Sequence, residues 1–164
     1  TQGPSHYLRS KGVAEQYVRA APAVLRWTIF RPSVIFGPGD SFLNRFAGLL
    51  RLSAGVLPLA RANTRFAPVY VGDVVEAFLR CLPGASHGTT SDGASYDLCG
   101  PGVHTLAELV RVTGDAIGVP ARILPLPDAI AKLQGFVMDF IPGKPFSSDN
   151  YRSLLLDSVC AECG

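Results

Sequence analysis

Extended, β-branched stretches alternate with capped, helix-spaced stretches along almost the whole chain, and this alternation constrains the fold more than any other feature. Residues 6–21 carry Val13, Tyr17 and Ala20 at helical spacing, and "WTIFRPSVIFG" (27–37) then reads as a strand running into a Pro-Gly loop. "SFLNRFAGLLRL" (41–52) is helical again, and "TRFAPVYV" (64–71) is extended. Asp73 with Glu76 three residues later reads as a capping box opening the next helix. "SYDLCG" (95–100) is a short strand after the polar loop "GASHGTTSDGAS". A second capping box, Thr105 with Glu108, opens a helix that Gly118 stops. After the short extended "RILPLP", residues 128–141 place Ile130, Leu133, Val137 and Ile141 on one helix face and Asp128, Lys132, Gly135 and Asp139 on the other. The expectation is that this apolar face packs on its own domain. Such alternation predicts an α/β fold with a largely parallel sheet.

Composition narrows the classes. With 48% hydrophobic and 17% charged residues, the 164-residue chain can build a packed core, and a disordered reading fails. The net charge of +2 and the lack of any Lys/Arg run disfavour nucleic acid as a partner. No apolar run reaches membrane-spanning length, and no signal segment is visible. Cys81 and Cys99 lie in apolar sequence and read as buried small hydrophobes. Cys160 and Cys163 form a C-x-x-C without a second pair or a His pair, so no metal site is expected. Reduced cysteines and a cytoplasmic location follow from that reading. His6 and His104 lack metal-like spacing, and His104 is expected at the surface.

The chemistry-bearing stretch is "PSHYLRSKGVAEQYV" (4–18). Tyr7 and Lys11 are four apart, so on a helix they face the same way. A free Tyr has a pKa of about 10, and a neighbouring ammonium favours the phenolate. Such a Tyr can donate a proton to a carbonyl oxygen or accept one from an alcohol. Y-x-x-x-K alone is a weak signal, and context decides.

That context is the ordered set "RPSVIFGPGD" (31–40), "PVYVGDVVEAF" (68–78) and "YDLCGPGVHTLAELV" (96–110). Together with the Tyr–Lys helix it resembles the C-terminal half of extended or atypical short-chain dehydrogenase/reductases, the NAD(P)-dependent epimerase/dehydratase family. The likeness is greatest to the branch holding the NADPH-binding accessory subunit of respiratory complex I. The resemblance implies part of a Rossmann-like, doubly wound parallel sheet, with the Tyr/Lys helix and strand in residues 1–40 and mixed substrate-side elements in 41–164. It implies Tyr7 as acid/base and Lys11 as its partner on the nicotinamide ribose. Pro32, Ser33 and Val34 would border the nicotinamide, and Gly37 and Pro38 would lead into the substrate side. Arg31 is either an ion pair supporting the strand end or a contact on the substrate or cofactor rim. Asp73 matches the family's acidic residue after the "PVYV" strand, with helix capping its first role.

Two departures qualify this. Val34 stands where sugar-nucleotide epimerases of the family carry Asn, which weighs against a nucleotide-sugar substrate. No glycine-rich pyrophosphate fingerprint occurs in the sequence, and "GPGD" and "GPG" are Pro-bearing turns that do not match it. The expectation is a chain lacking the N-terminal half of its domain, that half being its missing partner. The intact protein is expected to use NAD(P), while this chain alone should not bind it tightly. Two functions remain open. One is an oxidoreductase or epimerase acting on a carbonyl or alcohol. The other is a non-catalytic NADPH-binding accessory or assembly protein of a respiratory, membrane-peripheral complex.

Overall fold

A computed structural model describes residues 3–22, 25–82, 92–140 and 146–160. Most of the polar loop at 84–95, together with Ile141 and Cys163, lies outside them. Helix α1 (His6–Arg19) is followed by strands β1 (Thr28–Pro32) and β2 (Ile35–Phe36). Helix α2 (Phe42–Leu52) leads to β3 (Val56–Ala60), β4 (Arg65–Phe66) and β5 (Val69–Tyr70). Then come α3 (Val71–Arg80), β6 (Ala94–Leu98), β7 (His104–Thr105) and α4 (Leu106–Ala116). Strand β8 (Arg122–Leu126), α5 (Asp128–Met138) and α6 (Ser148–Ser153) complete the order.

The strands pair in twos. β1 runs parallel to β6 with Thr28 opposite Ala94 and Pro32 opposite Leu98. β2–β5 and β3–β8 are also parallel, and β4–β7 is antiparallel. Every parallel pair joins strands distant in sequence, as crossover connections require. The mixed α/β character with mostly parallel pairing agrees with the sequence expectation.

The main core lies between α2, β3 and α4. Leu50, Leu106 and Val110 are fully buried there, packed with Leu57, Leu59, Phe66 and Leu109. Local chemistry explains α4: Thr105 Oγ1 accepts from the Glu108 amide, and Glu108 Oε2 accepts from the Thr105 amide at 2.7 Å, so the expected box forms. Gly118 ends the helix with φ of 71°, a left-handed conformation that Gly adopts without strain. Gly55, at φ 85°, makes a similar turn into β3, where a Cβ would come 2.6 Å from the Pro120 carbonyl oxygen.

Three expectations are corrected. Asp73 does not cap α3: the helix starts at Val71 with Tyr70 at the cap position and no side-chain cap bond. β5 ends at Tyr70, paired with Phe36, and the chain turns directly into helix, which moves Asp73 into the first turn beside the positive helix end. Glu76 pairs with Arg80 at 2.9 Å instead.

The apolar face of α5 is likewise not the buried one. Leu133 is 62% exposed, and Ile130, Phe136, Val137 and Phe140 are also exposed, whereas Ala131 and Gly135 are buried. The small residues win because α6 comes very close: a Cβ on Gly135 would lie 3.2 Å from Ser148 Cα. Asp139 accepts the Ser148 amide at 3.1 Å and holds that approach.

Finally, Cys99 is not an isolated buried hydrophobe, nor is Cys160 a reduced thiol. They form a disulfide across 61 residues. The cause is tertiary: Ser158 bridges to Phe66 in parallel fashion, and this brings the end of the chain to the end of β6.

Candidate functional site

Helix α1 is placed by both of its ends. At the N-terminus the fully buried Ser5 accepts the Leu8 amide at 3.1 Å. The Asp149 carboxylate on α6 accepts the His6 amide at 2.6 Å and the Tyr7 amide at 3.1 Å. Burial pushes the Asp149 pKa up, but these two amides, with the charges of His6 and Arg152, outweigh it and hold the carboxyl below its ordinary value. At the C-terminus Arg19 donates to Ser95 Oγ at 2.6 Å and covers the Trp27 ring.

Two contacts set the direction of α1. Glu15 meets Arg31 near the carboxyl end of β1, and Arg19 meets Ser95, whose register partner Ile29 lies near its amino end. The helix therefore runs antiparallel to β1. Tyr7, eight residues before Glu15, sits about 12 Å further along the helix axis. Tyr7 and Lys11 thus overhang the carboxyl edge of the β1–β6 pair. Their spacing was legible in the sequence, and they do meet: Lys11 Nζ lies 5.6 Å from the centroid of the Tyr7 ring, which is 58% exposed.

Arg31 is an ion-pairing residue here. Its Nε and Nη2 donate to Glu15 at 2.8 and 2.6 Å, and Nη1 reaches Asp97 at 3.5 Å. The Glu15 hydrogen bond raises the Arg31 pKa above its usual value, and the same bond lowers that of Glu15. Pro32 is exposed. Ser33 is buried; its hydroxyl donates to the Ser158 carbonyl at 2.6 Å and accepts the Ala67 amide at 3.2 Å. Val34 packs against the main core, and its carbonyl accepts the Val69 amide. Gly37 has φ of 145° and lies so close to α3 that a Cβ would meet Val71 at 2.6 Å. Pro38 is exposed beside it.

Arg31, Pro32 and Ser33 line an open cavity of about 210 Å³ together with Asp97, Cys99 and residues 157–160. Tyr7 and Lys11 do not line it. Sequence reasoning did not find Asp149, whose partners are 142 and 143 residues away, or the 157–160 segment. No local pattern carries either signal. Among the described residues no cluster of three or more His, Cys, Asp or Glu could hold a metal, and no helix is long and apolar enough to cross a membrane.

Residues 1–67 match the NAD_binding_4 family model, described as Male sterility protein. The chain is 36% identical over 161 residues to NADH dehydrogenase [ubiquinone] 1 alpha subcomplex subunit 9, mitochondrial, from Arabidopsis thaliana, covering 96% of this chain and 38% of that protein. It is 32% identical to the Mus musculus protein of the same name, covering 88% of this chain and 37% of that one. Ceramide reductase of Caulobacter vibrioides is 31% identical over 138 residues, covering 82% and 40%. The chain thus spans no more than 40% of the length of these relatives. Among solved structures, RMD from Pseudomonas aeruginosa complexed with NADPH superposes with a TM-score of 0.57 at 27% identity, covering 74% of this chain and 44% of that one. DesIV, a dTDP-glucose 4,6-dehydratase from Streptomyces venezuelae, gives a TM-score of 0.60 at 22% identity over 74% of this chain and 38% of that one, a likeness of fold. By these likenesses the chain resembles the NAD(P)-binding epimerase/dehydratase branch of the short-chain dehydrogenase/reductase family, with NADH dehydrogenase [ubiquinone] subunits among its relatives.

Proposed function

We propose that this chain forms the nicotinamide-side part of an NAD(P)-binding accessory protein of a respiratory, complex I-like assembly. The observation that carries this reading is the 36% identity to the complex I subunit along 96% of the chain. The geometry supports a holding role. Arg31 and Ser33 spend their polar groups inside the protein, and Val34 packs inward. An exposed Tyr–Lys pair beyond the carboxyl edge of parallel strands fits one end of a dinucleotide, because ligands of open α/β folds bind at that edge. Tyr7 and Lys11 would hold the ribose at that end, and Pro32 would form its rim. Bound NAD(P) would supply hydride-transfer chemistry. The pyrophosphate grip would come from a glycine-rich turn that is not in these 164 residues, so this chain alone should bind dinucleotide weakly.

The test is native electrophoresis of membranes from the host, with immunodetection of this chain. Comigration with NADH-oxidising activity, and loss of the assembled complex when the gene is deleted, is the expected result. A chain found only in small soluble species would refute the proposal.

The enzyme reading is kept for one specific reason: the Tyr7–Lys11 contact, joined by the similarity to ceramide reductase. Under it, Tyr7→Phe in the intact protein abolishes carbonyl-dependent NADPH oxidation and leaves NADPH affinity nearly unchanged. Lys11→Ala harms both. An intact protein that binds NADPH but fails to oxidise it in the presence of any carbonyl tested supports the accessory role.

A further inference from the structure

Residues 157–160 form a strap across the carboxyl end of β1. Ser158 is its centre: its amide donates to the Arg65 carbonyl at 2.8 Å, and its carbonyl accepts the Ala67 amide at 3.0 Å and the Ser33 hydroxyl at 2.6 Å. Asp157 accepts the Arg65 amide and Nε at 2.9 and 2.8 Å. Two residues beyond Ser158, Cys160 is bonded to Cys99, which directly follows β6. The Leu98 carbonyl at the end of β6 accepts the Ser33 amide at 2.9 Å. Ser33 is therefore held between β6 and the strap, and the disulfide joins those two holders.

We propose that the Cys99–Cys160 disulfide is a redox clamp that keeps the strap closed over the Arg31–Ser33 cavity, and that a dithiol reductant opens it. This rests on the reading above that Pro32 forms the rim at the nicotinamide end of the dinucleotide. Both half-cystines are half-buried and line the open cavity, so a reductant reaches them. Accessible disulfides are the labile and regulatory ones, whereas structural ones resist reduction. The chemistry balances as ordinary exchange. A thiolate of the dithiol attacks one sulfur of the pair, forming a mixed disulfide and expelling the other cysteine as thiolate. The second thiol of the reductant then closes on its partner, leaving two protein thiols and one oxidised dithiol. Two electrons pass from reductant to protein. Cys160 is committed to Cys99 and so is not available as a thiolate metal ligand while the clamp is closed.

Opening removes the covalent tether at Cys160 and leaves the strap to its hydrogen bonds. Of these, the Asp157 bonds to Arg65 are exposed, and exposed hydrogen bonds open locally at low free energy. Release of Ser158 takes away the acceptor of the Ser33 hydroxyl, which lines the cavity, while the Ala67 amide keeps its bond to Ser33 Oγ.

The experiment uses the intact protein, oxidised or treated with dithiothreitol, alongside Cys99→Ser and Cys160→Ser. Non-reducing peptide mapping should recover a Cys99–Cys160 cross-link, and any other pairing overturns the proposal. Amide hydrogen exchange at Arg65 and Ser158, whose bonds join the strap to β4, should accelerate by about tenfold on reduction and in both variants without reductant; unchanged exchange overturns it. NADPH titration should give severalfold tighter binding to the reduced protein and to both variants, with no further response of the variants to dithiothreitol. Equal affinity in all forms, with exchange accelerated, overturns the gating. If exchange accelerates and no form binds NADPH, the clamp is supported and the nicotinamide reading fails.

Discussion

Asp149→Ala tests the placement of the Tyr7 helix directly. The substitution removes both carboxylate bonds to the first turn of α1, at 2.6 and 3.1 Å, and leaves the Ser5 cap intact. The freed amides are at an exposed end, so water replaces the carboxylate and the cost is that of a lost cap, about 1–2 kcal/mol. At roughly 2–4 °C per kcal/mol for a chain of this size, Tm should fall by about 2–8 °C. Asp149→Asn keeps a carbonyl acceptor and loses the charge facing the helix dipole, a smaller loss of about 0.3–1 kcal/mol. The pH dependence separates the two contributions. The folded-state pKa of Asp149 lies below its ordinary value, so its charge contributes stability above the unfolded pKa of about 4. That contribution disappears as pH falls through the folded pKa. The difference between the native protein and Asp149→Asn should therefore persist from pH 7 to 5 and shrink below about pH 4. Guanidinium unfolding read by circular dichroism gives the stabilities, and hydrogen exchange at His6 and Tyr7 gives the local effect. Unchanged exchange at both amides in Asp149→Ala, with Tm unmoved, would refute the placement of α1 by α6.

Four further outcomes follow from the packing and the caps. Leu50→Ala, in the fully buried contact between α2 and α4, should cost about 3 kcal/mol in denaturant unfolding. Leu133→Ser, by contrast, lies on the exposed face of α5 and should change stability by less than about 0.5 kcal/mol; a core-sized loss would mean that this face is covered. Thr105→Ala should cost about 1 kcal/mol, and the Glu108 carboxyl, held low by the Thr105 backbone and hydroxyl, should titrate higher by NMR. A double-mutant cycle of Arg31→Gln and Glu15→Gln should give a coupling of about 0.5–1 kcal/mol that weakens at high salt, because the pair is partly exposed.

Features that depend on residues within about a turn of one another could be read from the order of amino acids alone. The Thr105–Glu108 box, the Gly118 stop and the shared face of Tyr7 and Lys11 are all set by separations of four residues or fewer, and each is found where the sequence places it. Most of the order of helices and strands was legible for the same reason, since periodicity is local, but β3 and the short α6 were not read from the sequence. Tertiary structure decided the rest. Asp73 had the right local pattern for a cap, yet the pairing of Tyr70 with Phe36 moved the helix start ahead of it. In α5 the larger apolar face lost to Ala131 and Gly135, because close approach of α6 rewards small side chains more than hydrophobic ones at that contact. Asp149 reaches His6 across 143 residues and Cys99 reaches Cys160 across 61, and neither pair leaves a mark in its neighbourhood of the chain. Contacts of that range are chosen by the packing of the whole domain, after the local rules have been satisfied.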